Sequence, residues 1–162
     1  MKDFISDVYG VFLTLLGLAV FLSLMWLVAR SHSHMWRRLA AHYRGQAGGA
    51  RLARKLPETI IVADRGAIPP GLRHRLYAGA VIAIHEEGLA ISLVPIPPLN
   101  IMTPPLFLPF DDMRVEQTEW ALWPEPFALR MASAPDLDVI VDRGVVRWIR
   151  EHIARPPFGP DS

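Results

Sequence analysis

The sequence predicts an N-terminal transmembrane helix followed by a small domain of short antiparallel strands closed by a C-terminal helix. Three observations carry that expectation. Residues 8–29 are 22 consecutive positions without a charge, bounded by Asp7 and Arg30. None of the 15 prolines precedes Pro57, so the first third of the chain is free to be helical while the rest is punctuated by turns. From Pro57 onward apolar residues recur at every second position, the period of a strand with one face buried.

A helix of 22 residues reaches about 33 Å, enough to cross a hydrocarbon core of about 30 Å with slight tilt. Thirteen of those residues are Leu, Val or Phe, each favouring insertion by about 0.3–0.6 kcal/mol near the helix centre. A cleaved signal peptide has an apolar core of only about 7–15 residues followed by small side chains. Here the bulky Met25, Trp26 and Leu27 stand at that point, so an uncleaved anchor is expected. Trp26 and Tyr9 suit interfacial positions at the two ends. No ionisable group lies inside the span to offer a proton or ion path. Gly10, Thr14 and Gly17 put small residues near one another, but without a Gly-x-x-x-Gly pair an inert anchor is expected in place of a dimerising one.

The flanks set the orientation. Lys2, Asp3 and Asp7 precede the span, whereas Arg30, Arg37, Arg38, Arg44, Arg51, Arg54 and Lys55 follow it with no acid before Glu58. Positive charge stays cytoplasmic, which places the amino terminus outside and the bulk of the chain inside. The formal net charge of +1 conceals this asymmetry: with seven cations in residues 30–55, the rest of the chain is net acidic. A wholly basic surface of the kind that binds nucleic acid is therefore not indicated. The seven cations are candidate contacts for anionic lipid headgroups, each worth about 1 kcal/mol near such a surface.

The chain divides into an extracytoplasmic stretch (residues 1–7), the span (8–29), a basic juxtamembrane helix and linker (30–55), a β domain (56–155) and a disordered tail (156–162). In residues 34–44, Met35, Trp36, Leu39, Ala40 and Tyr43 recur at helical spacing opposite Arg37, Arg38 and Arg44. That stripe suits two arrangements equally: a separate helix lying in the headgroup layer, with Trp36 and Tyr43 as interfacial aromatics, or a helix packed on the domain. Gln46 to Gly49 reads as a flexible break.

Strands are expected at residues 59–63, 76–85, 89–94, 113–119, 127–131 and 137–141. The clearest signal is the hairpin joined by Glu86-Glu87-Gly88, a three-residue connection whose glycine takes the left-handed conformation. Across it Ile82 and Ile84 share a face with Leu89, Ile91 and Leu93. Six prolines between Pro95 and Pro109 limit that segment to an edge strand at most, the natural place for a peptide to add to the sheet. A final helix over residues 145–154 aligns Val145, Trp148, Ile149 and Ile153, and Pro156-Pro157 ends it.

This order of elements resembles that of pleckstrin-homology-like domains, in which a partly open antiparallel barrel is capped by one helix. The wording is also similar to that of small, largely uncharacterised bacterial single-pass membrane proteins that carry a Trp-x-x-Leu-Ala-x-x-Tyr helix before such a domain. Here that stretch runs from Trp36 through Leu39 and Ala40 to Tyr43, followed by Gly88-Leu89 and by Pro104-Pro105-Leu106-Phe107-Leu108-Pro109-Phe110. The resemblance spans residues 35–153 on about twenty packing and turn positions. Together with the orientation read from the flanking charges, it implies a location in the inner (plasma) membrane with the domain cytoplasmic. It also implies a candidate ligand or lipid loop between the first two strands, containing Arg65, Arg73, His74 and Arg75.

No catalytic residue, metal ligand or cofactor is expected. His32 and His34 lie among arginines with no third ligand nearby. Asp111-Asp112, as neighbours on a strand, would face opposite sides. No nucleophile elbow, phosphate-binding loop or zinc-protease motif occurs. The expected function is a membrane-anchored, non-catalytic module with a protein partner or lipid surface as its ligand. A scaffold subunit of a membrane complex, or an enzyme with an unrecognised site, are the alternatives.

Overall fold

The computed structural model describes residues 2–45, 51–65, 74–94, 100, 102–119 and 123–153, with the backbone alone for residues 2–8 and 54–57. The Gln46–Gly49 break, the loop prolines Pro69 and Pro70, Arg73 and the tail all fall outside the described residues.

Helix α1 spans Lys2–Tyr43 without interruption. No break separates the apolar segment from the amphipathic one, so the separate juxtamembrane helix is not formed. The physical reason is that neither glycine nor proline stands between Ala29 and His34, while the two ends of the helix have different partners. From Tyr9 to Val28 the side chains are exposed, apart from half-buried Met25; from Met35 to Tyr43 one face enters the domain core. Trp36 and Leu39 are fully buried there, with Met35, Ala40 and Tyr43 beside them. Trp36 and Tyr43 are thus core residues, which corrects the interfacial assignment.

Among the described residues seven strands form one antiparallel sheet: β1 Arg51–Asp64, β2 His74–His85, β3 Gly88–Leu93, β4 Leu106–Pro109, β5 Met113–Gln117, β6 Phe127–Met131 and β7 Leu137–Val141. Their order is β4-β3-β2-β1-β7-β6-β5. The two outermost strands, β4 and β5, are joined by a single 3-10 turn, Phe110–Asp112. A three-residue link between opposite edges requires the sheet to curl on itself, and the result is a half-barrel. Ile60, Val62, Ile82, Ile84, Leu89 and Leu129 point into it with α1's buried face.

Strand β1 begins eight residues earlier than alternation alone predicts. Its pairing with β2 shifts register between Lys55 and Glu58, on either side of Pro57. A bulge is where a strand tolerates proline, because the missing amide then leaves no ladder bond unmade. A second irregularity, between Glu58 and Ile60, lies opposite Gly79 of β2, whose φ of 74° a side chain would resist.

The β2–β3 hairpin pairs Ile82 with Ile91 and Ile84 with Leu89, the register expected from the alternation. The reason for its glycine differs. Gly88 does not adopt a left-handed backbone; it pairs with Pro109, and a Cβ there would stand 2.3 Å from the Leu108 carbonyl oxygen. Glycine is required by the close approach of β4. Gly88→Ala is accordingly expected to cost about 1–3 kcal/mol by forcing β4 away, read as a lower urea midpoint with unchanged slope.

Helix α2, Arg143–His152, closes the chain. It starts two residues before the apolar pattern does, because Asp142 is its N-cap: the carboxylate accepts from the Val145 amide at 2.9 Å. Val145, Val146 and Ile149 enter the core, with Trp148 and Ile153 packed at its margin.

Candidate functional site

Helical periodicity sorts α1 into two faces where it leaves the apolar segment. Positions 36, 39, 40 and 43 turn inward, while Leu27, Arg30, Ser31, His34 and Arg38 form the opposite stripe. The end of β1 at Asp64 and the start of β2 at His74 and Arg75 rise beside that stripe. Together they line a half-open cavity of about 550 Å³. Two of the juxtamembrane arginines, Arg30 and Arg38, therefore share one site with His74 and Arg75 at the start of β2.

The charges in this cavity are unequal in availability. Arg38 is committed: its guanidinium donates to Asp64 at 2.9 Å and also to Asp136. These partners raise its pKa above the ordinary arginine value, the Asp64 hydrogen bond being the main cause. Arg30 lies over the Trp26 ring, 5.1 Å from its centroid, and Arg75 donates to the His74 carbonyl at 3.2 Å. Neither Arg30 nor Arg75 has a carboxylate partner among the described residues. Arg30 and Arg75 thus line the cavity without a carboxylate partner among the described residues, beside the paired Arg38, an arrangement suited to an anion.

The other predicted cations lie elsewhere. Arg65 pairs with Asp138 at 2.6 Å and is removed from the loop site. Arg37 and Arg44 border a separate depression with Met102 and Pro104. Arg51 is exposed at the start of β1, while the side chains of Arg54 and Lys55 are outside the described residues. Tyr9 and Trp26 are exposed on the apolar part of α1.

No protein-family model matches the chain, and no curated protein does either.

Sequence reasoning missed Tyr77, Asp64 and Asp136. Tyr77 is fully buried, and its hydroxyl occupies one rung of α1: the Trp36 amide donates to it at 3.1 Å, and it donates to the His32 carbonyl at 2.8 Å. Its ring packs against His32 and Trp36 with centroids 4.9 and 5.0 Å away. The only sequence signal was a lone aromatic among small and apolar strand residues. At the end of α1 the Tyr43 hydroxyl donates to Asp112, and the Ser133 amide donates to Tyr43 at 3.1 Å and to Asp112 at 3.3 Å. Asp112 sits in a 3-10 turn and not on a strand; burial opposes its ionisation, yet these hydrogen bonds hold its pKa below the ordinary value.

Burial is the main reason that both tyrosine hydroxyls are pushed up from 10.0 to about 12. A raised acid pKa means that the fold favours the neutral hydroxyl. Stability from these two groups is complete below pH 10 and declines as pH rises towards about 12. A series of urea midpoints taken at increasing alkaline pH checks this; a midpoint flat through that window would contradict it.

Among the described residues no three His, Cys, Asp or Glu side chains gather as metal ligands. His32 packs against Tyr77, and His34 lines the cavity.

Proposed function

We propose that this chain is a membrane-anchored, non-catalytic binding module. Its pleckstrin-homology-like domain sits at the cytoplasmic face of the inner membrane. The single observation that carries the reading is the continuity of α1. It is the one helix among the described residues long and apolar enough to cross a membrane, and its most apolar window is wholly unburied. A core helix of a soluble protein would be covered. Here the exposed part runs directly into Met35–Tyr43, whose inner face belongs to the domain core. Such a helix transmits the height and orientation of the anchor to the domain, which suits a module that presents a surface at fixed distance from the bilayer. The curled sheet with its closing helix supports the pleckstrin-homology-like reading of the domain. The excess of arginine after residue 29 supports the cytoplasmic placement.

The test is fractionation of the full chain from cells. It is expected to stay with membranes through a high-salt wash and to leave only with detergent, while a chain lacking residues 1–30 appears in the supernatant. Protease added to intact spheroplasts should leave the domain uncut. Release of the full chain by salt alone would mean that α1 does not span, and digestion of the domain would reverse the orientation.

A further inference from the structure

We infer that the cavity between α1 and the start of β2 holds the phosphate of one anionic phospholipid at a defined site. This inference rests on the anchored reading above and goes beyond it. A diffuse basic stretch attracts lipid without stoichiometry, whereas a cavity lined by cations from two elements offers one headgroup a defined seat.

Position is the first argument. With the span ending at Ala29, the headgroup layer of about 5–8 Å covers the next three to five helical residues at 1.5 Å each. Arg30, Ser31 and His34 stand in that layer, on the face that lines the cavity. Availability is the second. Arg30 and Arg75 come from different elements and have no carboxylate partner among the described residues, while Arg38 is neutralised by Asp64 and Asp136. Two guanidinium groups from different elements lining one cavity suit a phosphate, which accepts from several planar donors at once.

The third argument selects a lipid over a soluble phosphate. At Leu27 the cavity adjoins a shallow apolar depression on the span, lined by Leu22, Ser23, Trp26 and Leu27. One ligand with a phosphate above and an acyl chain below fits both. A soluble phosphate would use only the upper part.

The experiment uses the full chain, reconstituted in phosphatidylcholine nanodiscs and then transferred to native mass spectrometry with phosphatidylglycerol added. One phosphatidylglycerol per chain is expected to remain bound. The double variant Arg30→Gln, Arg75→Gln should weaken that binding by about tenfold or more, while Arg114→Gln, at an exposed position of β5, leaves it unchanged. Circular dichroism of the variants confirms that the fold is kept. Equal retention by the double variant and the parent would overturn the site. Full displacement by glycerol phosphate would overturn the lipid assignment in favour of a soluble phosphate ligand. A chain that never enters nanodiscs would overturn the anchor reading, a failure distinct from the other two.

Discussion

A fragment beginning at Leu56 will not fold, whereas one beginning at Ser31 will unfold cooperatively in urea without detergent. The reason lies in how the core is divided between helix and sheet. Met35, Trp36, Leu39, Ala40 and Tyr43 are buried in the same cluster as Ile60, Ile82 and Leu129. Burying a large apolar side chain is worth about 1.5–3 kcal/mol. Met35, Trp36, Leu39 and Tyr43 together contribute about 6–12 kcal/mol by that measure, comparable to the whole stability of a small domain, about 5–15 kcal/mol. The same cut removes Arg51–Lys55, which pair with β2 residues Ile82–His85. It also leaves the Pro104 carbonyl without the Trp36 indole N–H that donates to it at 2.7 Å. Far-ultraviolet circular dichroism with urea titration of both fragments decides the matter. A cooperative transition in the Leu56 fragment at the midpoint of the longer one would mean that α1 is only a tether.

Replacing Tyr77 separates the value of its ring from that of its hydroxyl. Tyr77→Ala is expected to cost about 3–5 kcal/mol, as for other large aromatic deletions, because a fully buried ring leaves a cavity between His32 and Trp36. Tyr77→Phe keeps the ring and is expected to cost only about 1 kcal/mol. The two groups it abandons, the Trp36 amide and the His32 carbonyl, are four residues apart on one helix and are able to close on each other. The Phe variant should therefore alter the helix at the junction more than the stability of the domain. Hydrogen exchange at the Trp36 amide reads the first and urea unfolding the second. A Phe variant as unstable as the Ala variant would show that the rung cannot reclose.

Much of this architecture was legible in local patterns. The uncharged run, the hairpin register and the closing helix depend on residues near one another in sequence, and their periods report which face is apolar. Trp36 and Tyr43 show where such reading stops. An amphipathic stripe states that one face avoids water, and a bilayer interface and a protein core satisfy it equally. The Trp36 partners Tyr77 and Pro104 lie 41 and 68 residues away. Gly88 carries the same lesson: glycine at the end of a hairpin loop fits a left-handed turn, yet β4, about twenty residues later, is what forbids a side chain there.

The cavity marks the division most clearly. Composition by itself determined that cations cluster after the span and again before the second strand, since charge and its order along the chain are properties of sequence. Which cations stay available was decided by the tertiary structure. Arg38 and Arg65 are drawn to Asp64, Asp136 and Asp138 from distant positions, whereas Arg30 and Arg75 are brought to one cavity with no carboxylate partner among the described residues. Pairing between charges falls steeply with separation and with access to water. Only the folded chain sets those distances.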